Sequence, residues 1–333
     1  MKSKRIKKFF LSFILFFILL FSILWLMSLQ KYSTEFGVSF NQDRATSLGL
    51  DWKKVYIAIL DDMKPKYIRI AAMWSDVEKS RGQWNFENVD WMMAEAKKRG
   101  TRVMLVVGQK APRWPECHVP DWLKGESAEV KMKLMNTYIT QVVNRYKDNK
   151  VLEIWQVENE PFINFRFGEC VAYDRKAVYG EIALVRSLDP AHRIIITDSG
   201  ELSTWRRAIK AGDLFGTTVY RMVETPRGFP FTYDWLPAAF YRLKAKVWGR
   251  DMSSVFVVEL QAEPWFTDST PLDTPLEKQI KRFSLNRLKK NIDYAERIGV
   301  PRAYLWGVEW WYWLKEVKGR GEYWAVVKER QTN

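Results

Sequence analysis

The sequence is poor in histidine and cysteine, the side chains that most often bind transition metals. Its 333 residues include two histidines, His118 and His192, and two cysteines, Cys117 and Cys170. So few histidines argue against a His-rich metal hydrolase, and the cysteines form no Cys-x-x-Cys pair that would indicate zinc. We therefore expect no metal ion in this protein.

The motifs of several common enzyme classes are also missing. The chain has no Gly-x-Ser-x-Gly around a candidate nucleophilic serine, which argues against a Ser-His-Asp hydrolase. It has neither Gly-x-Gly-x-x-Gly nor a P-loop, which disfavours a doubly wound sheet that binds a nucleotide. We expect no cofactor.

Tryptophan and positive charge are abundant instead. The chain has 17 Trp, and this surplus suggests a membrane interface or a surface that stacks on flat ligands. The formal net charge is +14, with the Lys and Arg residues scattered along the chain. This scatter favours a generally basic, soluble surface over one that attracts anionic polymers, and no motif predicts nucleic-acid binding.

An uncharged apolar segment lies near the amino terminus, at residues 9–29. It is long enough to cross a bilayer as a helix, which takes about 20 residues. No Ala-x-Ala cleavage pattern follows it, so we favour an uncleaved anchor over a cleaved signal and a secreted protein. The basic residues 1–8 predict a cytoplasmic tail. Residues 30–34 would be a linker, and residues 35–333 a domain on the outer side of the membrane.

The remaining chain alternates apolar runs with amphipathic helical patterns, in one domain of about 300 residues. Continuous apolar runs are typical of parallel strands that are covered on both faces. Eight such strands with intervening helices predict an α/β fold, a (β/α)8 TIM barrel preceded by one transmembrane helix. Helices are predicted near residues 202–211 and 276–298, and after the eighth strand only a short helix near 323–328. The predicted strands lie near 36–40, 67–71, 103–107, 151–157, 193–197, 214–220, 255–258 and 303–306.

Two of these strands end on carboxylates. The run 151–157 leads into Glu158-Asn159-Glu160-Pro161, and the run 255–258 ends on Glu259. In a (β/α)8 barrel, residues at the carboxyl ends of the strands meet at one face. A pair of carboxylates there is the minimum requirement for retaining glycoside hydrolysis. Glu158 fits better as a supporting carboxylate than as a catalytic one.

These residues resemble the clan A retaining glycoside hydrolases, such as the cellulase, mannanase and β-galactosidase families, over about residues 35–312. The resemblance implies that Glu160, in Asn159-Glu160-Pro161, is the acid/base and that Glu259 is the nucleophile. It further implies that Asn159 binds the sugar 2-OH and that Arg69 supports the nucleophile. The second βα unit, which begins with the Tyr-Ile-Arg-Ile that contains Arg69, also resembles that of the clan. The resemblance further implies that Trp306 lies under the sugar. The other matching residues are Trp74, Gly82, Trp84, Phe86, Asp90 and Tyr220.

The sequence also departs from the clan's pattern. The nucleophile strand continues as Glu259-Leu-Gln-Ala-Glu263, which makes Glu263 an alternative nucleophile further into the loop. Thr218 stands where the clan often has a histidine. Several tryptophans could stack on sugars, although core packing is an equal explanation for each: Trp74, Trp114, Trp265, Trp310 and Trp311.

The predicted function is retaining hydrolysis of the β-glycosidic bonds of an extracytoplasmic oligo- or polysaccharide. The alternatives are a transglycosylase with the same residues and a catalytically inactive, membrane-anchored glycan-binding barrel. Cys117 and Cys170 fall in the loops after the neighbouring third and fourth strands. A disulfide at the rim of the site is therefore a reasonable hypothesis.

Overall fold

The computed structural model describes residues 2–113, 116–163, 170, 174–225, 227–266 and 270–332. Eight parallel strands pair in sequence order and close into a barrel, because β1 pairs with both β2 and β8. This confirms the predicted fold class. The strands are β1 (Glu35–Ser39), β2 (Tyr67–Ala71), β3 (Arg102–Val107), β4 (Leu152–Val157), β5 (Arg193–Asp198), β6 (Leu214–Val219), β7 (Val255–Gln261) and β8 (Arg302–Trp306).

Helices surround the barrel and connect its strands. A two-stranded hairpin, Met222–Glu224 with Pro230–Thr232, follows β6. The helices are α1 (Lys2–Met27), α2 (Gln42–Ser47), α3 (Trp52–Ala58, extended by a π turn at Ile59–Met63), α4 (Trp74–Val77), α5 (Glu87–Lys98), α6 (Ala128–Tyr146), α7 (Arg175–Leu188), α8 (Ala208–Ala211), α9 (Ala239–Val247), α10 (Leu276–Arg282), α11 (Leu285–Ile298), α12 (Val308–Lys318) and α13 (Glu322–Thr332), with short 3-10 turns at Asp121–Leu123 and Met252–Ser254.

A layer of apolar side chains fills the barrel interior, with contributions from seven strands. Its members are Tyr67, Met104, Ile154, Ile195, Leu214, Phe256, Val258 and Tyr304. Successive side chains on a strand point to opposite faces, so the residue two positions further along enters the next interior layer. Arg69 follows Tyr67 in this way, and Gln156 follows Ile154. The two-residue period of the strands therefore places a polar layer directly above the apolar one.

A β-bulge in β7 turns Glu259 toward the same interior. Val257 pairs with Thr217, whereas Glu259 pairs with Thr218, so β7 has one more residue than β6 at this point. Val258 belongs to the interior layer, and strict alternation would send Glu259 outward. A bulge of this kind re-aims a side chain, and here it directs the Glu259 carboxylate to the barrel mouth.

Three predicted helices differ from the structure. The stretch 276–298 is two helices, because Ser284 caps a new helix and accepts a hydrogen bond from the Arg287 N–H. The stretch 202–211 is helical only at α8. After β8 the structure has two full helices, α12 and α13, rather than one short one. Tryptophan has only moderate helix propensity, so the Trp-rich α12 gives a weak helical signal in the sequence.

One helix in the described part of the chain is long and apolar enough to span a membrane, at Lys8–Met27. Most of its large side chains are exposed, but Leu24 is buried. The buried Ser28 hydroxyl, just beyond the helix, accepts a hydrogen bond from the Ala239 N–H of α9 (2.8 Å). Arg242 of α9 donates to the Met27 carbonyl oxygen (2.8 Å). The end of α1 thus packs against the barrel.

Candidate active site at the carboxyl ends of the strands

Glu158 and Glu160 lie in a tight turn that ends β4. Both residues have positive φ, 60° and 44°, an uncommon conformation that costs about 1–3 kcal/mol for a non-glycine residue. The Glu158 carboxylate accepts hydrogen bonds from the N–H groups of Gln109 (2.8 Å) and Lys110 (2.7 Å). Glu158 therefore ties the β4 turn to the β3 loop, in agreement with a supporting rather than a catalytic position. The Glu160 N–H donates to Thr197 Oγ1 (2.8 Å).

The Glu160 side chain points into the barrel mouth, where Thr218 Oγ1 donates to its Oε1 (3.1 Å). Thr218 occupies the position at which the sequence departs from the clan pattern. Burial, followed by the charges of Glu116 and Glu259, raises the pKa of Glu160 well above its usual range. Lys110 opposes this effect only in part. A buried carboxyl with a raised pKa is suited to donate a proton.

Arg69 connects the two strand ends that carry the candidate carboxylates. Its guanidinium is buried and donates to Glu259 Oε1 (2.9 Å), Asn159 Oδ1 (2.9 Å) and Gln156 Oε1 (2.8 Å). The Tyr220 hydroxyl donates to the other Glu259 oxygen (3.0 Å). Each Glu259 oxygen thus has one donor, and one of the two donors is a cation.

Glu116 is a carboxylate of this site that the sequence analysis missed. It lies in the loop after β3, and its Oε2 is 3.2 Å from the Nζ of the buried Lys110. Burial raises the pKa of Glu116 to about 7, although Lys110 opposes the shift. No motif marks this residue in the sequence; its position beside Cys117 is the one local hint.

Glu263, the alternative nucleophile, has different surroundings. Arg113 contacts its Oε1, and Arg44 lies 3.7 Å from its Oε2. The same Arg113 guanidinium donates to Glu309 Oε2 (2.6 Å). Glu309 is fully buried and also accepts a hydrogen bond from the Asn41 N–H (2.7 Å). Glu263 is thus part of a cluster of two arginines and two carboxylates.

The tryptophans predicted to stack on sugars lie in different surroundings. The Trp306 ring faces the barrel mouth but lies under the Arg113 guanidinium, 4.0 Å from the ring centroid. Trp265 is half-buried, with its ring 5.9 Å from that of Tyr220. Trp114 lies outside the described residues. Cys117 and Cys170 form a disulfide, with their Cα atoms 5.1 Å apart.

Trp74 does not reach the site, which corrects the prediction that it binds substrate. Its side chain is 1% exposed and stacks on Tyr138, with ring centroids 5.4 Å apart. Its indole N–H donates to Glu78 (2.7 Å). Trp310 and Trp311 of α12 are fully buried as well. Core packing, the other explanation for these aromatics, applies to all three.

Within the described residues, no group of three or more His, Cys, Asp or Glu side chains is arranged to hold a metal ion.

Comparison with known proteins identifies relatives of this arrangement. Residues 31–181 match the family described as glycosyl hydrolase family 10. This stretch contains Arg69, Asn159 and Glu160, whereas Glu259 lies beyond it. Over this stretch the chain is similar to that family, and its fold is a (β/α)8 barrel.

The proteins that this chain resembles are distant in sequence. The probable mannan endo-1,4-beta-mannosidase F of Emericella nidulans is 24% identical over 136 residues, which cover 36% of this chain and 28% of that protein. A family 10 glycoside hydrolase structure from Paenibacillus barcinonensis has a TM-score of 0.56 at 18% identity, covering 89% of this chain and 94% of that one. A β-galactosidase from Halorubrum lacusprofundi has a TM-score of 0.56 at 14% identity, covering 82% of this chain and 52% of that one.

The chain thus matches about a quarter of the length of the curated relative and about half of the β-galactosidase. At these identities the structural likeness concerns the fold.

Proposed function

We propose that the protein is a retaining glycoside hydrolase that cleaves β-glycosidic bonds of an extracytoplasmic oligo- or polysaccharide. The observation that carries this proposal is the contrast between the two carboxyl groups at the mouth. Glu259 is contacted by the Arg69 cation and the Tyr220 hydroxyl, whereas burial raises the pKa of Glu160. Retaining hydrolysis uses one carboxyl that donates a proton and a second that attacks as a carboxylate.

In the first step Glu160 donates its proton to the glycosidic oxygen while a Glu259 oxygen attacks the anomeric carbon. The bond to the leaving oxygen breaks, and the sugar becomes an ester of Glu259. In the second step Glu160, now ionised, takes a proton from water, and this water attacks the anomeric carbon. The ester bond breaks, the sugar leaves with its original anomeric configuration, and Glu160 is protonated again.

Asn159 is oriented for a substrate contact. Its Oδ1 accepts hydrogen bonds from Arg69 (2.9 Å) and from Gln156 Nε2 (3.3 Å). This pair of donors fixes the amide orientation, so the Asn159 amide N–H groups point the other way. We assign them to the sugar 2-OH, a hydrogen bond that strengthens in the transition state.

Glu263 has a supporting position in this proposal and is not the nucleophile. Its two oxygens face Arg113 and Arg44, and it lies beyond the strand that presents Glu259. A nucleophile needs an oxygen directed at the substrate, and the Arg113 contact occupies one of the Glu263 oxygens.

The proposed location is the outer side of a membrane, with α1 as an uncleaved anchor. The burial of Leu24 and the hydrogen bond from Arg242 to Met27 support retention of the helix. Cleavage after α1 would remove both of these contacts with the barrel. The basic residues before the span support a cytoplasmic amino terminus.

The test uses the full-length protein in detergent with a panel of aryl β-glycosides and β-linked polysaccharides. A 2-fluoro glycoside of any sugar that is turned over should trap the ester, and peptide mapping should locate it on Glu259. Proton NMR of the first-formed product should show the β-anomer. A label on Glu263 would overturn the residue assignment, and an α-product would overturn retention. Glycan binding without any turnover would instead support an inactive barrel, and products joined to a second sugar would support a transglycosylase.

A further inference from the structure

Thr218 contacts the proposed acid from inside the barrel. On β6, Leu214 belongs to the interior apolar layer, and the two-residue strand period directs Thr218 inward as well. Thr218 is 2% exposed, and its hydroxyl oxygen lies 3.1 Å from Glu160 Oε1. One oxygen of the Glu160 carboxyl group therefore faces the protein interior rather than the open mouth.

The contacts of the Thr218 hydroxyl fix the direction of this hydrogen bond. The Gly200 N–H, in the loop after β5, can only donate, and it makes a long hydrogen bond of 3.4 Å to Thr218 Oγ1. In the described part of the chain, Glu160 Oε1 is the other hydrogen-bond partner of this hydroxyl. A hydroxyl has one proton to donate, and a buried hydroxyl needs an acceptor. The Thr218 proton is therefore directed at Glu160 Oε1.

Gly200 allows the loop after β5 to approach β6 this closely. A Cβ atom at this position would overlap the Thr218 carbonyl oxygen and would come within 2.8 Å of the Tyr241 ring. Glycine is the residue without that atom. The loop thus places a backbone N–H behind the Thr218 hydroxyl, and this N–H polarises the hydroxyl toward Glu160.

The backbone of Glu160 is held by the neighbouring strand. Its N–H donates to Thr197 Oγ1 of β5 (2.8 Å), and its φ is 44°. Such an uncommon conformation persists where the surroundings determine it. The residue is thus fixed at its backbone by Thr197 and at Oε1 by Thr218. Because Oε1 faces the buried Thr218, Oε2 is the oxygen that can meet a substrate.

We propose that Thr218 is a positioning residue that keeps Glu160 Oε1 as a hydrogen-bond acceptor, so that Oε2 carries the transferred proton in both steps of the reaction. This inference rests on the proposed function. A protonated carboxyl group has one O–H donor, and its other oxygen is free to accept, so the Thr218 donor favours the proton on Oε2. In the first step Oε2 gives its proton to the glycosidic oxygen, and in the second it takes a proton from water. Thr218 keeps its own proton throughout.

The experiment compares full-length wild type with Thr218→Val, which keeps the shape of the side chain and removes its hydroxyl. Without the Thr218 donor, the proton is no longer directed to one oxygen. The value of kcat/KM for aryl glycosides with poor leaving groups should fall by about 10- to 100-fold, as expected for a lost hydrogen bond to a charged group. Ester formation from dinitrophenyl glycosides, whose leaving group needs no proton, should keep its rate. Thr218→Ser keeps the hydroxyl and should recover most of the loss.

The pH profile is a readout that a merely structural role would not change. Burial is the largest cause of the raised pKa of Glu160. A donor to the ionised carboxylate lowers a pKa, so its removal in Thr218→Val should raise the pKa of Glu160 further. Because the acid acts while it is protonated, the alkaline limb of kcat/KM should move to higher pH. The titratable groups around Glu160, which this variant leaves in place, are Glu116, Glu259, Lys110, Asp198 and Tyr220.

Thr217→Val is the matched control. Thr217 is the adjacent residue of β6 and is also buried, but its hydroxyl donates to the Thr218 carbonyl oxygen (3.1 Å). Its dependence on the leaving group and its alkaline limb should equal those of wild type. Thr218→Ala, which has no side-chain atoms beyond Cβ that could clash, should repeat the result of Thr218→Val.

An equal loss for good and poor leaving groups, or an unmoved alkaline limb in both Thr218→Val and Thr218→Ala, would overturn the role of Thr218. If wild type turns over no glycoside at all, the proposed function fails separately, and infrared spectroscopy then tests the hydrogen bond. The difference between the spectra of wild type and Glu160→Gln contains the carbonyl stretching band of protonated Glu160. In Thr218→Val, referenced to Thr218→Val/Glu160→Gln, this band should lie at higher frequency and persist to higher pH; an unmoved band would overturn the proposal.

Discussion

The two halves of the barrel mouth differ in how their buried carboxylates are compensated. On the side of β7, β8 and β1, arginine contacts Glu259, Glu263 and Glu309 directly. On the side of β3 to β6, Glu158 and Glu160 are held instead by backbone N–H groups and a threonine hydroxyl. The first arrangement places arginine charges directly on the carboxylates, whereas on the second side neutral dipoles hold Glu158 and Glu160 and the Lys110 cation pairs with Glu116.

The acid–base properties of the two sides follow from this difference. Burial raises the pKa of Glu116 and of Glu158 to about 7, and that of Glu160 well above the usual range. Burial also raises the pKa of Glu309, against the opposing effect of Arg113. Burial therefore favours the protonated acid on both sides, and a neighbouring cation opposes that effect. The proposed acid and the proposed nucleophile fall on the sides that suit them.

The largest expected effect is the loss of the nucleophile on the arginine side. Glu259→Gln keeps the shape of the side chain but removes the oxygen that would form the ester. The value of kcat should fall by about 10⁴-fold or more on every substrate, as for other enzymes with a covalent intermediate. Glu263→Gln is the matched comparison and should not prevent labelling of Glu259. A larger loss in Glu263→Gln than in Glu259→Gln would reverse the assignment of the two residues.

A smaller and substrate-dependent loss should follow removal of the acid on the other side. Glu160→Gln should reduce kcat by about 10²–10⁴-fold for glycosides with poor leaving groups, which need protonation. Formation of the ester from dinitrophenyl glycosides should change little, because that leaving group departs without a proton. Stopped-flow measurement of the burst separates the two steps. An equal loss for good and poor leaving groups would contradict the acid role.

The features that the sequence predicts well are those with a local pattern. Continuous apolar runs mark the eight strands, and the strand period places Arg69 in the polar layer above Tyr67. The Asn159-Glu160-Pro161 motif and the end of the β7 run identify the residues that the structure brings to one mouth. The roles of Glu160 and Glu259 stay predictions that the experiments above address.

The features that the sequence does not predict depend on contacts between distant segments. Arg113 reaches Glu263 and Glu309 across 150 and 196 residues of chain, and no local period encodes such pairs. Glu116 becomes part of the site because the β3 loop folds over the mouth. The residue type of Trp74 is compatible with stacking on a sugar, but only its position against Tyr138 reveals that it belongs to the core.

A third prediction concerns stability and tests whether Arg69 and Glu259 depend on each other. Arg69→Met leaves the buried Glu259 without its cation and should reduce the free energy of unfolding by about 3–5 kcal/mol. In Arg69→Met/Glu259→Gln that unpaired charge is absent, so the double variant should lose less than the sum of the single losses, by about 0.5–3 kcal/mol. Guanidinium titration followed by tryptophan fluorescence gives the three values. Additive losses would show that the pair is not coupled.

The smallest expected effect is a shift of the pH profile on the side without arginine. The Glu116 charge is one cause of the raised pKa of Glu160, second to burial, so Glu116→Gln should lower that pKa. Glu160 acts as an acid, and kcat/KM falls as the pH rises through its pKa. The alkaline limb of the profile should therefore move to lower pH in Glu116→Gln. Glu153→Gln, whose carboxylate pairs with Arg302 at the opposite end of the barrel, should leave the limb in place. A reduced rate with an unmoved alkaline limb in Glu116→Gln would mean that Glu116 supports the loop but does not change the pKa of Glu160. The contrast between the two halves of the mouth would then rest on burial alone.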